Sequence, residues 1–424
     1  MTKPAADKAT LKRFACASAI LLGADVVVFR LLLPNRIWLA DYPIPTIDAS
    51  IADWLSLIAW PAFAVAGITL WLLPHMKQRP REDWTRARVS LWLLFFGCLI
   101  EGLARTLLNM PVIGNGVAML GSVMQLGGTM LYVAAIWAGI SRSLHPAARD
   151  VLLQMGAVWF LVSVGLHFAY NMSLALEYTA SAYLRSVDAL YAGFALGFIG
   201  NTGLWLLTSV MPQFLNTREP RPRVISGVLT YNVVLLLWVL GEAWALQYPY
   251  TWVRLPLALA GLGTAGVTIY LLTDLSAFRY LGAQVTAPRR VLAKVTAGAA
   301  VVGMVASVAI VAAIGVWLGS TSDVWVPNIS HALQEVLRVG VGTFLLMAMF
   351  ISFLGPRAGT GARGGVLWLA IVLVTGGLVT QAGVNLLVPL TALDLGHIQN
   401  VAGGVLAAGH LLVVMWLLVS APTA

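Results

Sequence analysis

The sequence predicts an all-α membrane protein of about twelve transmembrane helices, on the evidence of its composition, its apolar run lengths and its charge distribution. Apolar residues make up 59% of the 424 residues, charged residues only 10%, and the mean hydropathy is +0.86. A soluble chain carries about 25% charged residues. This chain has too few charges to cover a surface that faces water, so lipid is the predicted surroundings. The same composition excludes a disordered chain, a coiled coil and a secreted disulfide scaffold.

The apolar residues fall into runs of membrane-spanning length. A bilayer core needs roughly 20 apolar residues in a helix. The runs are long and do not alternate, which favours helices over a barrel. The connections are short, so residues 1–424 are predicted to form a single transmembrane domain. The predicted spans are residues 11–33, 51–73, 88–109, 112–141, 150–172, 184–212, 224–246, 252–278, 292–318, 328–354, 365–388 and 396–419.

The basic residues predict the orientation of these spans. Most of the 26 Lys and Arg residues lie before the first span or in every second connection, and the cytoplasmic loops of membrane proteins are enriched in such residues. Both termini are therefore predicted to be cytoplasmic, in the cytoplasmic (inner) membrane. The net charge of +9 is explained by these loops, and no nucleic-acid-binding module is found. The basic clusters lie at residues 3–13, 77–88, 142–149, 218–223, 279–294 and 357–363.

Segments four spans apart resemble one another. Spans two and six each run into a proline and a basic loop (63–82 and 196–223), and span ten is a looser copy (339–357). An internal repeat would give three four-helix units, at residues 11–141, 150–278 and 292–419. The alternative is that Leu-rich helices look alike without being repeats.

Ionisable residues that are predicted to lie inside spans must face a cavity or a partner. Glu101 and Arg105 are four residues apart on span three, a spacing that allows an ion pair on one helix face. Asp25, Asp188 and Glu242 have no cation nearby on the same helix. Each of these three is either a proton-handling group or a satisfied contact between helices.

Span ten carries the densest set of polar residues. His331, Glu335 and Arg338 follow one another at helical spacing from the predicted outer end of the span, with Gly342 on the same stripe. A histidine near a span end with a carboxylate one turn later can ligate a metal or a haem iron and have a polar neighbour. The alternative is a helix start that lies among lipid headgroups.

Two further histidines are predicted near the outer face. His167 lies toward the outer end of span five and His397 at the start of span twelve, whereas His410 lies deep in span twelve. Haem iron takes axial histidine ligands. A single histidine on an apolar helix is also often a buried residue with a hydrogen-bond partner, and both interpretations are open for these three.

Two segments and the span count resemble the NnrS family of polytopic haem proteins. The segment RSVDALYAGFALGFIGNTGLWLLTSVMPQF (185–214) is similar to that family's Gly-Phe helix, which ends in a proline loop. The segment HALQEVLRVGVGTFLLMAMFISFLGPRAGTGARGG (331–365) is similar to its helix that begins with histidine and leads into a Gly-rich basic loop. The number of predicted spans matches as well.

The resemblance implies a haem protein, with b-type haem expected, that handles nitric oxide or electrons near the outer leaflet. His331 would be the haem ligand, His397 or His167 a second ligand, and Glu335 and Arg338 would lie close to the haem propionates. An enzyme of this kind would be a haem-dependent oxidoreductase acting on nitric oxide or a related small molecule. The family is also associated with copper, but few histidines are left in this chain to hold it.

The wider haem-copper oxidase superfamily shares the twelve-span plan, arranged as three four-helix arcs, and begins its tenth span with ligand histidines. This chain lacks the oxidases' histidines in spans two and six and the histidine pair after span seven. A complete oxygen-reducing centre is therefore not expected.

Two other functions are compatible with the sequence. One is a proton-coupled secondary transporter that uses Glu101, Arg105 and Glu242, since twelve spans and internal repeats are common in that class. The other is a scaffold subunit of a respiratory complex, which would require partner subunits. The lipid bilayer is the main predicted partner for each of these functions. A haem protein would also bind a small gaseous or redox ligand.

Overall fold

The computed structural model describes the helical body of the chain. Nearly every described residue is helical, and these residues contain no strand. The all-helical class is therefore confirmed for this part of the chain. The described residues are 5–24, 61–76, 84–106, 111–141, 149–176, 193–209, 211–215, 225–247, 251–274, 287–318, 332–333, 335–353, 361–387 and 395–420.

Among the described residues, each of the twelve predicted apolar runs overlaps one main helix, and a short helix, Met211–Leu215, follows the sixth. Helices six and ten each contain a π-helical segment that is followed by an α-helical one. The helices are α1 (Ala5–Ala24), α2 (Phe63–Met76), α3 (Trp84–Thr106), α4 (Pro111–Ser141), α5 (Asp150–Ala175), α6 (Gly193–Gly200 and Asn201–Ser209), α7 (Ile225–Gln247), α8 (Thr251–Asp274), α9 (Pro288–Leu318), α10 (Val336–Thr343 and Phe344–Phe353), α11 (Gly361–Leu387) and α12 (Gly396–Ser420).

Six of the described helices are long and apolar enough to cross a membrane: α3, α4, α5, α9, α11 and α12. The described parts of α2, α7, α8 and α10 are apolar but shorter. These lengths support the conclusion that the chain is a membrane protein. The count of twelve crossings and the cytoplasmic position of the termini stay predictions.

Helices α2, α6 and α10 lie inside the bundle, and the other nine of these helices surround them. In the outer layer α3 packs on α4, α7 on α8 and α11 on α12. These pairs are joined to the following helix by contacts of α4 with α5, α8 with α9, and α12 with α1. The last contact links the two ends of the chain, and α1 is joined to α3 through inner helix α2, which contacts both. We call the nine outer helices the outer ring.

The helix contacts recur at an offset of four helices. Inner helix α2 contacts α1 and α3, α6 contacts α5 and α7, and α10 contacts α9 and α11. The three outer pairs and the three contacts between them follow the same offset. This is the pattern that three four-helix units would produce, although the repeat itself stays a prediction.

Burial separates the inner helices from the outer ring. Residues 61–73, in and just before α2, and residues 193–209 of α6 are buried without exception, whereas the outer helices expose large apolar side chains. Leu237 is 57% exposed, Val379 65% and Val401 67%. Many exposed aliphatic side chains on one surface are expected where lipid rather than water is the solvent.

The π-helical starts of the inner helices also follow the four-helix offset. Residues 61–62 before α2 are π-helical, as are the first segments of α6 and α10. In α6, two carbonyls of this segment receive donors from side chains. The Tyr231 hydroxyl donates to the Leu196 carbonyl at 2.9 Å, and the Asn201 amide donates to the Gly197 carbonyl at 2.7 Å. π-Helical turns are frequent at functional sites.

Two arginines from the predicted cytoplasmic loops contact the ends of inner helices. Arg149 donates from Nη1 to the Thr208 carbonyl at 3.4 Å, near the end of α6. Arg289 donates from Nε to the Ile351 carbonyl at 2.7 Å, near the end of α10. A cation at a helix C-terminus satisfies carbonyls that lack an intrahelical partner and interacts favourably with the helix dipole. These two residues therefore have a structural role besides their contribution to the charge of the loops.

Candidate functional site

A buried carboxylate is held by three side chains from neighbouring helices. Glu101 of α3 is fully buried. Its Oε2 accepts a hydrogen bond from the Gln125 amide of α4 at 2.5 Å. Its Oε1 lies 2.7 Å from Nε2 of His167 and accepts a bond from the Asn171 amide at 2.7 Å, both residues belonging to α5. We call Glu101, Gln125, His167 and Asn171 the carboxylate cluster.

Glycines bring α3 and α4 close enough for this contact. A Cβ atom at Gly97 would lie 2.7 Å from the Gly121 carbonyl, and one at Gly121 would lie 2.8 Å from the Gly97 carbonyl. Two turns earlier on α3, the Ser90 hydroxyl donates to the Gly128 carbonyl of α4 at 2.7 Å. Small residues allow two membrane helices to approach at backbone distance. The register that they set places Gln125 opposite Glu101.

Helix α5 supplies the other two members of the cluster from a single face. His167 and Asn171 are four residues apart, a spacing that brings two side chains to the same side of a helix. They are 2% and 1% exposed. The Asn171 amide also lies 3.1 Å from Nε2 of His167. A polar pair of this kind, inside a helix that is otherwise mainly apolar, points inward to the Glu101 carboxylate.

The geometry restricts where protons can lie. An amide nitrogen only donates, so Gln125 and Asn171 both donate to the carboxylate. The short contact between His167 and Glu101 needs one proton, carried either by Nε2 or by the carboxyl oxygen. When Nε2 carries the proton, the contact of His167 with the Asn171 amide is not a hydrogen bond, because both nitrogens are then donors. The arrangement can therefore hold a proton at either of two atoms.

The structure describes only part of what the sequence predicted around Glu101. The side chain of Arg105, predicted to pair with Glu101, lies outside the described residues, as does that of Glu242 on α7. Asp25 and Asp188 lie outside them entirely. The proposed ion pair between Glu101 and Arg105 therefore stays a prediction, and the contacts of Glu101 described above come from other helices.

At span ten the structure describes the helix but not its first predicted ligand. His331 lies outside the described residues, and so does the side chain of Arg338. Ala332 and Leu333, which follow His331, are helical and buried. Glu335 is partly buried immediately before the π-helical start of α10.

The histidines of span twelve lie in different surroundings. His397 is exposed at the start of α12 and lines a groove of about 440 Å³ together with Gly377 and Thr380 of α11 and Val401 of α12. His410 is buried, and its Nε2 lies 3.3 Å from the Thr343 hydroxyl of inner helix α10. His410 therefore links the ring to the inside of the bundle, whereas His397 has an imidazole at the surface.

The haem-ligand candidates can be compared with this geometry. Nε2 of His167 is engaged with Glu101, so in this arrangement His167 does not offer that nitrogen to an iron. His397 does present its imidazole beside an apolar groove, which suits an apolar planar group with one nitrogen ligand. Within the described ranges, no group of three or more His, Cys, Asp or Glu side chains is placed to hold a metal ion.

Two of the four cluster members have a function predicted from the sequence, and the other two do not. The sequence predicts separate functions for Glu101 and His167 and does not predict their contact. Gln125 and Asn171 have no predicted function. Asn171 had a detectable signal, since it follows His167 by one helical turn in an apolar span.

No protein-family model matches the chain, and no curated protein matches it in sequence. The resemblance to the NnrS family therefore rests on the two quoted segments and the number of predicted spans.

Proposed function

We propose that the chain is a haem protein of the cytoplasmic membrane that handles nitric oxide or electrons near the outer leaflet. The outer ring around three buried inner helices carries this proposal. It supports the comparison with haem-copper oxidases, whose twelve spans form three arcs and whose tenth span begins with the ligand histidines. In this chain the corresponding inner helix is α10, and His331 immediately precedes Ala332 and Leu333, which are helical and buried shortly before α10.

His331 is the proposed iron ligand, and His397 is the better of the two second candidates because its imidazole is exposed beside a groove. Glu335 and Arg338 are the proposed neighbours of the haem propionates, since an arginine pairs well with a carboxylate. When bound, the haem iron would supply a coordination position for nitric oxide and a one-electron carrier.

The test is the absorption spectrum of the full-length protein, purified from cells supplied with haem. We expect a Soret band that shifts when nitric oxide is added, and a pyridine haemochrome typical of b-type haem. His331→Ala should lower the haem content at least about tenfold, because loss of an axial ligand removes the main bond to the iron. His75→Ala is the matched control, since the sequence places His75 at the opposite membrane face, and it should keep the haem.

Two results would contradict the proposal. One is a folded, monodisperse preparation that carries no haem. The other is a His331→Ala variant that retains as much haem as the wild type. A colourless protein that moves a solute across proteoliposome membranes, and stops doing so in Glu101→Gln, would instead indicate the transporter.

A further inference from the structure

The carboxylate cluster is separate from the residues proposed to hold haem at α10 and α12. Its members lie on α3, α4 and α5, within the first and second predicted repeat units. It contains a carboxyl group and an imidazole that touch each other while both are buried. A buried charge in a membrane domain is costly and marks a functional site in most cases.

We propose that Glu101 and His167 form a proton-binding site inside the membrane domain, in which one proton is shared between the carboxyl group and the imidazole. This inference does not depend on haem binding. The ligand is a proton, and the site would serve any process that takes up or releases one.

The contact between Glu101 and His167 is short enough for the two residues to share a proton. With 2.7 Å between Glu101 Oε1 and His167 Nε2, a proton can move from one atom to the other without any movement of the heavy atoms. In one state the carboxylate accepts from Nε2–H. When the pair takes up one further proton, that proton resides either on the carboxyl group, which then donates to Nε2, or on the imidazole, which then carries both N–H groups. The second form becomes the first when the proton of Nε2 crosses the short contact.

The Gln125 side chain can bind Glu101 in either protonation state. Its Nε2 donates to Glu101, while its Oε1 is buried and has no hydrogen-bond partner among the described residues. An amide that rotates by half a turn exchanges its donor for its acceptor in the same place. Gln125 can thus donate to the ionised carboxylate or accept from the protonated carboxyl group, and both protonation states of Glu101 are accommodated.

The remaining neighbours set the electrostatic surroundings. Cys98 and Arg105 lie within about one helical turn of Glu101 on α3, and Tyr170 lies beside Asn171 on α5. Helix α7, which contacts α5, carries Glu242. The side chains of Arg105 and Glu242 lie outside the described residues, so the geometry of the cluster alone carries the proposal.

The test is infrared difference spectroscopy of the full-length protein in lipid over a pH series. We expect a protonated-carboxyl band that shifts when glutamate is labelled with ¹³C and disappears in Glu101→Gln. In His167→Phe, which removes one donor from the carboxylate, the pH midpoint of the band should rise by about one unit, a tenfold change in proton affinity. Asp150→Asn is the matched control, because Asp150 is also buried and bonded, to Trp205, but lies outside the cluster.

Each outcome decides for or against the shared proton. A glutamate band that persists in Glu101→Gln, or a midpoint that does not move in folded His167→Phe, would overturn it. Should these variants not fold, side-chain ¹⁵N spectra of the wild type provide a second measurement. The shared proton predicts a histidine that titrates with the same midpoint as the glutamate band, and a histidine that titrates independently of it would overturn the proposal. Haem content is unaffected by either result, so the two proposals fail separately.

Discussion

Replacing Glu101 by leucine is expected to destabilise the protein by about 3 kcal/mol, the largest effect that we predict for a single side chain. The substitution leaves the amides of Gln125 and Asn171 without their buried acceptor, and each buried donor without a partner costs about 1–3 kcal/mol. A single hydrogen bond between membrane helices contributes less, about 0.6 kcal/mol on average. The expected destabilisation therefore lies near the lower end of the summed cost of the two unpaired donors. Reversible unfolding in mixed micelles measures the change.

Glu101→Gln is the matched control for this substitution. It keeps the size of the side chain and an oxygen that accepts hydrogen bonds, so the expected loss is about 1 kcal/mol. Equal stability of the leucine and glutamine variants would contradict the role given to the carboxylate cluster, because the three donors would then contribute nothing to the packing of α3, α4 and α5.

Replacing Gly121 by alanine is expected to destabilise the protein by about 2 kcal/mol. The new Cβ would lie 2.8 Å from the Gly97 carbonyl and 2.9 Å from Cβ of Glu101, so α3 and α4 must separate. Adding atoms to a closely packed contact costs about 1–3 kcal/mol. The separation also moves Gln125 away from Glu101. The unfolding measurement described above detects the loss of stability, and the infrared band of Glu101 detects the loss of the Gln125 contact.

Gly116→Ala controls for the change of residue type on the same helix. A Cβ at Gly116 meets nothing within 4 Å, and alanine is favoured over glycine in a helix by about 1 kcal/mol. The stability of this variant should be unchanged or slightly higher. If the two alanine variants behaved alike, close packing of α3 on α4 would not be what holds the cluster together.

The helices could be predicted from the sequence because the apolar runs alone determine them. For α4, the predicted run 112–141 and the observed helix Pro111–Ser141 differ by a single residue. The predicted runs 184–212 and 328–354 extend beyond the described parts of α6 and α10. Hydropathy measures the preference of a segment for lipid, and it carries no information about whether the hydrogen bonds of that segment are α-helical or π-helical.

The composition of the candidate site could not be predicted in the same way. The spacing along α3 predicts a pair between Glu101 and Arg105, because helical periodicity relates only residues on the same helix. The contact of Glu101 with His167 spans 66 positions and depends on the packing register of three helices. That register is set by Gly97, Gly121 and Gly128, and the closeness of two glycines becomes visible only when the helices are placed side by side.

The two proposals concern different parts of the same ring. The haem proposal concerns the start of α10 and its surroundings, whereas the proton site lies on α3, α4 and α5. Reduction of nitric oxide or a related molecule consumes protons as well as electrons, so a buried proton-binding pair is compatible with a haem protein. A proton-coupled transporter would use the same pair without haem, and the absorption spectrum separates these cases.

The outer ring of helices supports the haem proposal, and a disulfide between α1 and α12, the helices at the two ends of the chain, tests it most directly. A Cβ built on Gly23 of α1 lies 3.9 Å from Cγ1 of Val414 on α12. After replacement of Cys16 and Cys98 by serine, a protein carrying Gly23→Cys and Val414→Cys should form an intramolecular disulfide on mild oxidation in the membrane. Position 23 faces the side chain of position 414 at contact distance, and a disulfide joins Cβ atoms about 3.5–4.5 Å apart. A control that pairs Gly23→Cys with Gly116→Cys of α4 should not. Efficient cross-linking of the first pair alone is the result that we predict, and failure of that pair to cross-link in folded protein would contradict the contact of α12 with α1 in the outer ring.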